Sequence, residues 1–262
     1  MPKDKIFFTS DAHLGSPVHT SSIATERSLA AWMESVEAEA KAIYFLGDML
    51  DFWMEYRTTV PKGFIRFLAT MARLQERGTE IHYLVGNHDL WLKDYFQKEL
   101  GIEVHHHHFF LQESLCRFRL SHGDEEYRLH SRTEDLLYRL FRNKIAQLLA
   151  RSIHPRWLLP LGSRSSVVSR KKGYEKDRKT SNLSQEWIVE WAKERSLQLV
   201  DCDYLLFGHR HILKRIMIEG LKPEIIFLGD WLYHNSYACW DGESLSLYHQ
   251  VSEGNPLGVL FS

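Results

Sequence analysis

Cysteine is scarce. The 262 residues include three, Cys116, Cys202 and Cys239. An odd, widely spaced set makes no disulfide framework, and no pair has the spacing of a metal clip. All three are expected as small core residues in a reducing compartment. Long apolar runs are missing too. No stretch reaches the roughly 18–20 apolar residues of a membrane span. Met1-Pro2-Lys3-Asp4-Lys5 leads into no long apolar region, so no signal peptide is expected. Net charge is almost absent, at −1, which removes the usual electrostatic reason to expect a nucleic-acid partner. Low complexity is confined to His105–His108, which alternation would split across the two faces of a surface strand. There are no internal repeats.

What is present is globular. Hydrophobic residues make up 44% and charged residues 26%, a composition that excludes wholesale disorder. The length suits a single domain over 1–262 with an inserted subdomain. The charge is unevenly spread. Arg128 to Lys179 holds 14 Lys/Arg against 4 Asp/Glu, a net of +10, so the remainder sums to −11. Such asymmetry predicts an anionic partner for a basic helical insert at about 125–181.

Three apolar segments share one design. Ile6-Phe7-Phe8 precedes Ser10-Asp11-Ala12-His13, Ile43–Leu46 precedes Gly47-Asp48, and Ile81–Val85 precedes Gly86-Asn87-His88-Asp89. Short apolar runs ending in turn residues read as buried strands. Helical patterns around 21–40 and 63–76 lie between them, so the order β-α-β-α-β predicts a mostly parallel α/β sheet. Ligands gather at the carboxyl ends of such strands. Further on, a strand at 115–120 meets Ser121-His122-Gly123-Asp124, and a helix near 185–194 leads to Tyr204–Phe207 and Gly208-His209-Arg210-His211. The tail, Ile212–His249, reads as a meander forming a second sheet packed on the first.

Five polar clusters thus follow five strands: Asp11/His13, Asp48, Asn87/His88, His122 and His209/His211. Carboxylate, imidazole and amide oxygen suit Mn, Fe, Zn or Mg. Residues i and i+2 of a strand share a face, so Asp11 with His13, and His209 with His211, would reach one ion together if strand geometry persists that far. Arg210, between two candidate ligands, would point away. The glycines next to these clusters allow close backbone approach. Any one cluster occurs by chance; five in order, each at a strand end, do not.

The ordered set Asp-x-His, Gly-Asp-x-x-Asp, Gly-Asn-His-Asp, His-Gly-Asp and Gly-His-x-His resembles the calcineurin-like metallophosphoesterases. The resemblance implies an α/β fold, two mixed β-sheets in a sandwich flanked by helices, here with a helical lid. It implies one ion held by Asp11, His13, Asp48 and His211, and a second by Asp48, Asn87, His122 and His209, with Asp48 between them. An anion between two neighbouring dications offsets their repulsion, and such a pair activates water and neutralises phosphoryl oxygens. Mn2+ is the expected ion, with Fe, Zn or Mg as alternatives. His88 and Asp89 are the candidate catalytic residues. His88 would protonate the leaving oxygen or bind phosphoryl oxygen. Asp89, Asp51 and Asp124 are also read as carboxylates that orient ligands.

Ser10–Gly15, Gly47–Trp53, the chain length and the insert resemble the UDP-2,3-diacylglucosamine diphosphatases of lipid A synthesis. That branch implies hydrolysis of a pyrophosphate bond to UMP and 2,3-diacylglucosamine 1-phosphate. One position departs: His88 stands where the best-known members have Arg, as in the more general phosphoesterase pattern. The insert mixes cations with Leu136, Leu137, Leu140, Phe141, Leu148 and Leu149, which suits an acyl-chain pocket or an anionic membrane surface. Candidate substrate contacts are Asn87, Arg142, Lys144, Lys171, Lys172, Lys176 and His209, with Asn143 as a neutral donor. Trp53 and Trp91 would line the cleft, and Asp230 would support it. The expected setting is cytoplasmic, peripheral on the inner face of a membrane. A phosphodiesterase or phosphatase for a soluble ester, and a non-catalytic scaffold, are the competing readings.

Overall fold

The computed structural model describes residues 2–16, 22–130, 132–154, 156–157, 186–249 and 258–261. Sheet I contains seven strands in the order β12-β11-β10-β1-β2-β3-β4. They are β1 (Lys5–Thr9), β2 (Ala40–Leu46), β3 (Glu80–Leu84), β4 (Glu103–His105), β10 (Ser236–Trp240), β11 (Leu245–His249) and β12 (Gly258–Phe261). The first four run parallel and the last three antiparallel. Sheet II has the order β5-β6-β7-β9-β8: β5 (Phe109–Glu113), β6 (Cys116–Ser121), β7 (Tyr204–Phe207), β8 (Leu213–Ile216) and β9 (Glu224–Leu228).

Alternation along the strands builds the layers. Ile6 and Phe8 of β1 join Tyr44 and Leu46 in the core between the sheets, facing Phe118, Leu120, Leu206 and Ile226 of sheet II. Phe7, Ile43, Phe45, Ile81 and Tyr83 turn to the other face of sheet I. There they meet α1 (Ser22–Val36) through Leu29, Trp32 and Met33, and α2 (Ile65–Glu76) through Phe67, Met71 and Leu74. On the outer face of sheet II, Leu205, Phe207, Ile225 and Phe227 meet α7 (Trp187–Glu194) through Ile188, Trp191 and Ala192, one apolar stripe of that helix. Both faces of the central strands are buried, so they read as continuous apolar runs rather than alternating ones.

Between β3 and β4 lies the short α3 (Tyr95–Leu100). After β6 come α4 (Asp124–Tyr127), α5 (Arg132–Arg142) and α6 (Lys144–Ser152). Asn143 caps α6: its Oδ1 accepts from Ile145 N and Ala146 N at 2.9 and 3.0 Å. That uses the amide oxygen and leaves its NH2, the donor expected to meet substrate, outside the cap. The insert from 158 to 181, with Lys171, Lys172 and Lys176, lies outside the described residues.

Three expectations need correction. The tail is not one meander: β8 and β9 complete sheet II, while β10, β11 and β12 return to sheet I. The four histidines do not form a strand. Only His105 is in β4; His106–His108 turn toward β5, and both His107 and His108 reach Glu125. Trp53 does not line a cleft; it is fully buried among Phe64, Tyr95 and Phe96. Cys202 and Cys239 are buried as expected, Cys116 only partly, and all three are free.

Candidate active site

The five clusters converge, but not by strand alternation. β1 ends at Thr9 and β7 at Phe207, before Asp11 and His209. Asp11, His13, Asp48, His209 and His211 instead have positive φ, 42° to 65°, five of the eight such non-glycine residues among those described. A left-handed backbone costs a residue with a Cβ of order 1–3 kcal/mol, and such conformations concentrate at functional sites. Here the loops hold one another in place. Asp11 N donates to Gly47 O, His13 N to Asp48 O, Leu14 N to Met49 O and Asp51 N to Leu14 O, all within 3.1 Å.

Two glycines are dictated by close approach. A Cβ on Gly86 would sit 2.2 Å from Asp48 Oδ1, and one on Gly47 would sit 2.6 Å from His122 Nδ1. Neither position has room for a side chain.

Asp11, His13 and His211 form one group of donor atoms, all within 4.8 Å of one another, and Asp48, His122 and His209 form another. In the first, Asp11 Oδ1 lies 3.7 Å from His13 Nε2 and 3.6 Å from His211 Nε2. The two imidazole Nε2 atoms face each other at 3.3 Å. In the second, Asp48 Oδ2 lies 3.3 Å from His122 Nε2, which is also 3.2 Å from Asn87 Oδ1. Asp48 Oδ2 is 3.9 Å from both His13 Nε2 and His88 Nε2. It therefore stands between the two groups. Asn87 is exposed.

Hydrogen bonds on the far side of the rings aim them. His122 Nδ1 lies 2.8 Å from the Leu46 carbonyl, so it carries the proton and leaves Nε2 facing Asp48. His211 Nδ1 lies 3.0 Å from Asp230 Oδ2, a carboxylate–imidazole pair that aims Nε2 at Asp11. Asp230 Oδ1 accepts from Leu232 N, Tyr233 N and His234 N, which fixes the carboxylate in turn. His88 Nδ1 lies 3.0 Å from Asp51 O, leaving its Nε2 on the Asp48 side. The Asp51 carboxylate lies 3.7 Å from His13 Nδ1 and 3.9 Å from His88 Nδ1.

The electrostatics are those of a buried charge cluster. Burial lowers the pKa of His13 to about 4 and that of His209 to about 3, keeping both neutral with a lone pair to offer. Burial also works against a charged His211, but Asp11 and Asp230 outweigh it and raise its pKa to about 9. Burial opposes charge on Asp48, yet His122 and His88 hold its carboxyl well below the ordinary range. Asp11 Oδ1 is buried and accepts no hydrogen bond. A buried carboxylate oxygen left bare among imidazoles is costly unless a cation meets it. The donor set, imidazoles with carboxylates and an amide oxygen, thus fits divalent metal ions.

The remaining candidates divide. Asp89 does not reach the site. Its oxygens accept from Gly86 N, Met49 N and the Tyr83 hydroxyl, and burial with Asp48 nearby raises its pKa to about 7. It braces the loop carrying Asn87 and His88. Asp124 binds Arg142 at 2.9 Å rather than orienting an imidazole. Arg142, expected to meet substrate, is thereby engaged. It also donates to His106 O and lies over the Tyr138 ring. Lys144 is exposed at the start of α6. Arg210 points away as expected, into a bidentate pair with Glu186 at 2.6 and 2.8 Å. No motif marks Glu186, whose role comes only from packing.

A fold of this layering with this histidine–aspartate cluster defines a metallophosphoesterase, and the chain belongs to the calcineurin-like phosphoesterase family. The model of that family matches residues 4–213. Among curated proteins, the chain is 48% identical over 256 residues to the UDP-2,3-diacylglucosamine hydrolase of Porphyromonas gingivalis. The match covers 94% of this chain and 97% of that protein. It is 29% identical to the UDP-2,3-diacylglucosamine hydrolase of Aeromonas salmonicida, over 96% of each. A solved structure of vacuolar protein sorting 29 from Cryptosporidium parvum aligns with a TM-score of 0.47 at 11% identity, covering 98% of this chain and 96% of that one.

Proposed function

We propose that this enzyme cleaves the pyrophosphate bond of UDP-2,3-diacylglucosamine, releasing UMP and 2,3-diacylglucosamine 1-phosphate. The observation that carries this reading is a divalent-metal donor cluster lying beside two helices with uncovered apolar faces. Leu136, Leu140 and Phe141 of α5 and Ile145, Leu148 and Leu149 of α6 are each about half exposed or more. An apolar patch of that extent marks a binding surface. It is tied to the site. Trp91 Nε1 donates to Phe141 O at 3.0 Å, and Arg142 pairs with Asp124, two residues beyond His122. These helices are a lid on a single catalytic domain, and their apolar faces hold the acyl chains. The 48% identity to a hydrolase of that name supports the substrate.

Asp11, His13, Asp48 and His211 would hold one ion, and Asp48, Asn87, His122 and His209 the other, Mn2+ being preferred. When bound, the ions supply an activated water and Lewis acidity toward the phosphoryl oxygens. The protein's own groups do the rest. Asp48 keeps the two halves of the site in register. Asn87 and His209, at the open side, also contact the substrate. His88, with Nδ1–H committed to the Asp51 carbonyl, exchanges a proton with the leaving oxygen at Nε2. Cations of the insert meet the diphosphate. No described helix is long and apolar enough to cross a membrane. The enzyme meets its substrate at the cytoplasmic face of an anionic membrane, and nucleic acid is not a partner.

The test is UMP release from UDP-2,3-diacylglucosamine by purified protein with Mn2+. Chelation should abolish it, Mn2+ should restore it, and Asp48→Ala should show neither. Rapid cleavage of simple phosphodiesters with no UMP released would reject this substrate in favour of a soluble ester.

A further inference from the structure

Strand β4 is an edge of sheet I, and its register sets Glu103 opposite His82 and His105 opposite Leu84. Residues i and i+2 of a strand share a face. His82, Glu103 and His105 therefore gather on one face of the sheet, away from the catalytic cluster, which lies beyond the end of β3.

The donor atoms converge. His82 Nδ1 lies 3.3 Å from His105 Nε2 and 3.3 Å from Glu103 Oε2, and His105 Nε2 lies 3.7 Å from Glu103 Oε1. Zinc bonds of about 2.0–2.2 Å in a tetrahedron put neighbouring ligand atoms roughly 3.4 Å apart. The two 3.3 Å separations match that spacing, and His105 faces the other carboxylate oxygen slightly farther off. The rings are also pre-set. Tyr44 stacks on His82 with centroids 4.3 Å apart, Phe109 stacks on His105 at 3.8 Å, and the two imidazoles lie nearly parallel to each other.

A proton shared between His82 Nδ1 and His105 Nε2 satisfies that contact but leaves the other ring nitrogen of His82 without a partner. His82 Nε2 is buried and has no hydrogen-bond partner; its nearest acidic neighbour, Glu80 Oε2, is 3.9 Å away. If Nδ1 carries the ring proton, Nε2 turns a bare lone pair toward that carboxylate. If Nε2 carries it, that N–H is buried without an acceptor, while the Nδ1 lone pair faces both His105 Nε2 and the Glu103 carboxylate. Burial lowers the pKa of both rings, which disfavours the doubly protonated form. A cation among the three donors resolves the conflict. Nε2–H then points toward Glu80, the carboxylate–imidazole–metal arrangement that fixes a ligand's tautomer.

We propose that His82, Glu103 and His105 form a second metal site, for a divalent transition ion of the Zn2+ class, at the edge of sheet I. Two imidazoles and a carboxylate favour Zn2+, Cu2+ or Ni2+ over Mg2+ or Mn2+. The ion joins edge strand β4 to β3 and leaves one coordination position open to solvent. It takes no part in phosphoester cleavage.

The test compares zinc bound per chain, by elemental analysis after equilibrium dialysis, in the wild-type protein and His105→Gln. Zinc taken up at the catalytic centre is common to both and cancels. The wild type should hold one more ion per chain, with phosphohydrolase activity equal in the two within about twofold. Glu103→Gln, at an exposed position that cannot upset folding, should weaken zinc at this site by more than the roughly 10–100-fold that losing an outer partner costs. Equal zinc content in wild type and His105→Gln, or unchanged affinity in Glu103→Gln, would overturn the proposal and leave an ordinary histidine pair.

Discussion

Replacing Glu186 with alanine removes one half of a buried ion pair and leaves the other half in place. The Glu186 and Arg210 side chains are 1% and 9% exposed. Their two contacts, at 2.6 and 2.8 Å, are the planar fork that a guanidinium makes with a carboxylate. Removing the carboxylate from such a buried pair costs about 3–5 kcal/mol. For a chain of this size each kcal/mol moves the melting temperature by about 2–4 °C, so Tm should fall by roughly 6–20 °C. Arg210 lies between His209 and His211, whose backbones are held at φ 65° and 48°. The same change should therefore weaken divalent-metal affinity by about 10–100-fold. Thermal melts and metal titrations read both quantities. The double variant Glu186→Leu with Arg210→Met removes both charges and should regain most of the lost stability. A cost below about 1 kcal/mol for Glu186→Ala, the range of an exposed pair, would refute the assignment.

Three further outcomes are expected. Gly86→Ala forces a methyl group to 2.2 Å from Asp48 Oδ1. It should cost about 1–3 kcal/mol and displace the central carboxylate; full metal content by elemental analysis would contradict this. Asp230→Asn keeps the shape of the side chain but removes the charge that aims His211. It should lower metal affinity about 10–100-fold, and an unchanged binding isotherm would argue against the pairing. His88→Gln should reduce kcat about 10²–10⁴-fold while metal binding persists; near-wild-type turnover would remove His88 from the proton-transfer role.

Much of the site was legible in the sequence because strand ends are local features. Short apolar runs stopping at Asp11, Asp48, Asn87, His122 and His209 fixed where the chemistry lies, and the family motifs supplied their order. Alternation along β1 and β2 divides Phe7 and Ile43 from Ile6 and Phe8 between two cores. Alternation failed one step further, at Asp11 and His13, because each bends into the left-handed region. That conformation is held by backbone hydrogen bonds to a loop about thirty-five residues away, and no local pattern encodes it.

Which partner a buried polar group finds is likewise a tertiary matter. Asp89 follows two site residues, yet it turns back to Tyr83 and the Gly86 amide. Asp124 meets Arg142, and Arg210 meets Glu186, because the folded sheets bring them together after desolvation has made an unpaired charge intolerable. The return of β10, β11 and β12 to sheet I was hidden for the same reason: a strand's pattern specifies that one face is buried, not which sheet buries it. The sequence by itself determined the ligand types, their order and the buried strands that carry them. Only the tertiary structure decided how the side chains are aimed, since aim depends on contacts between segments far apart in the chain.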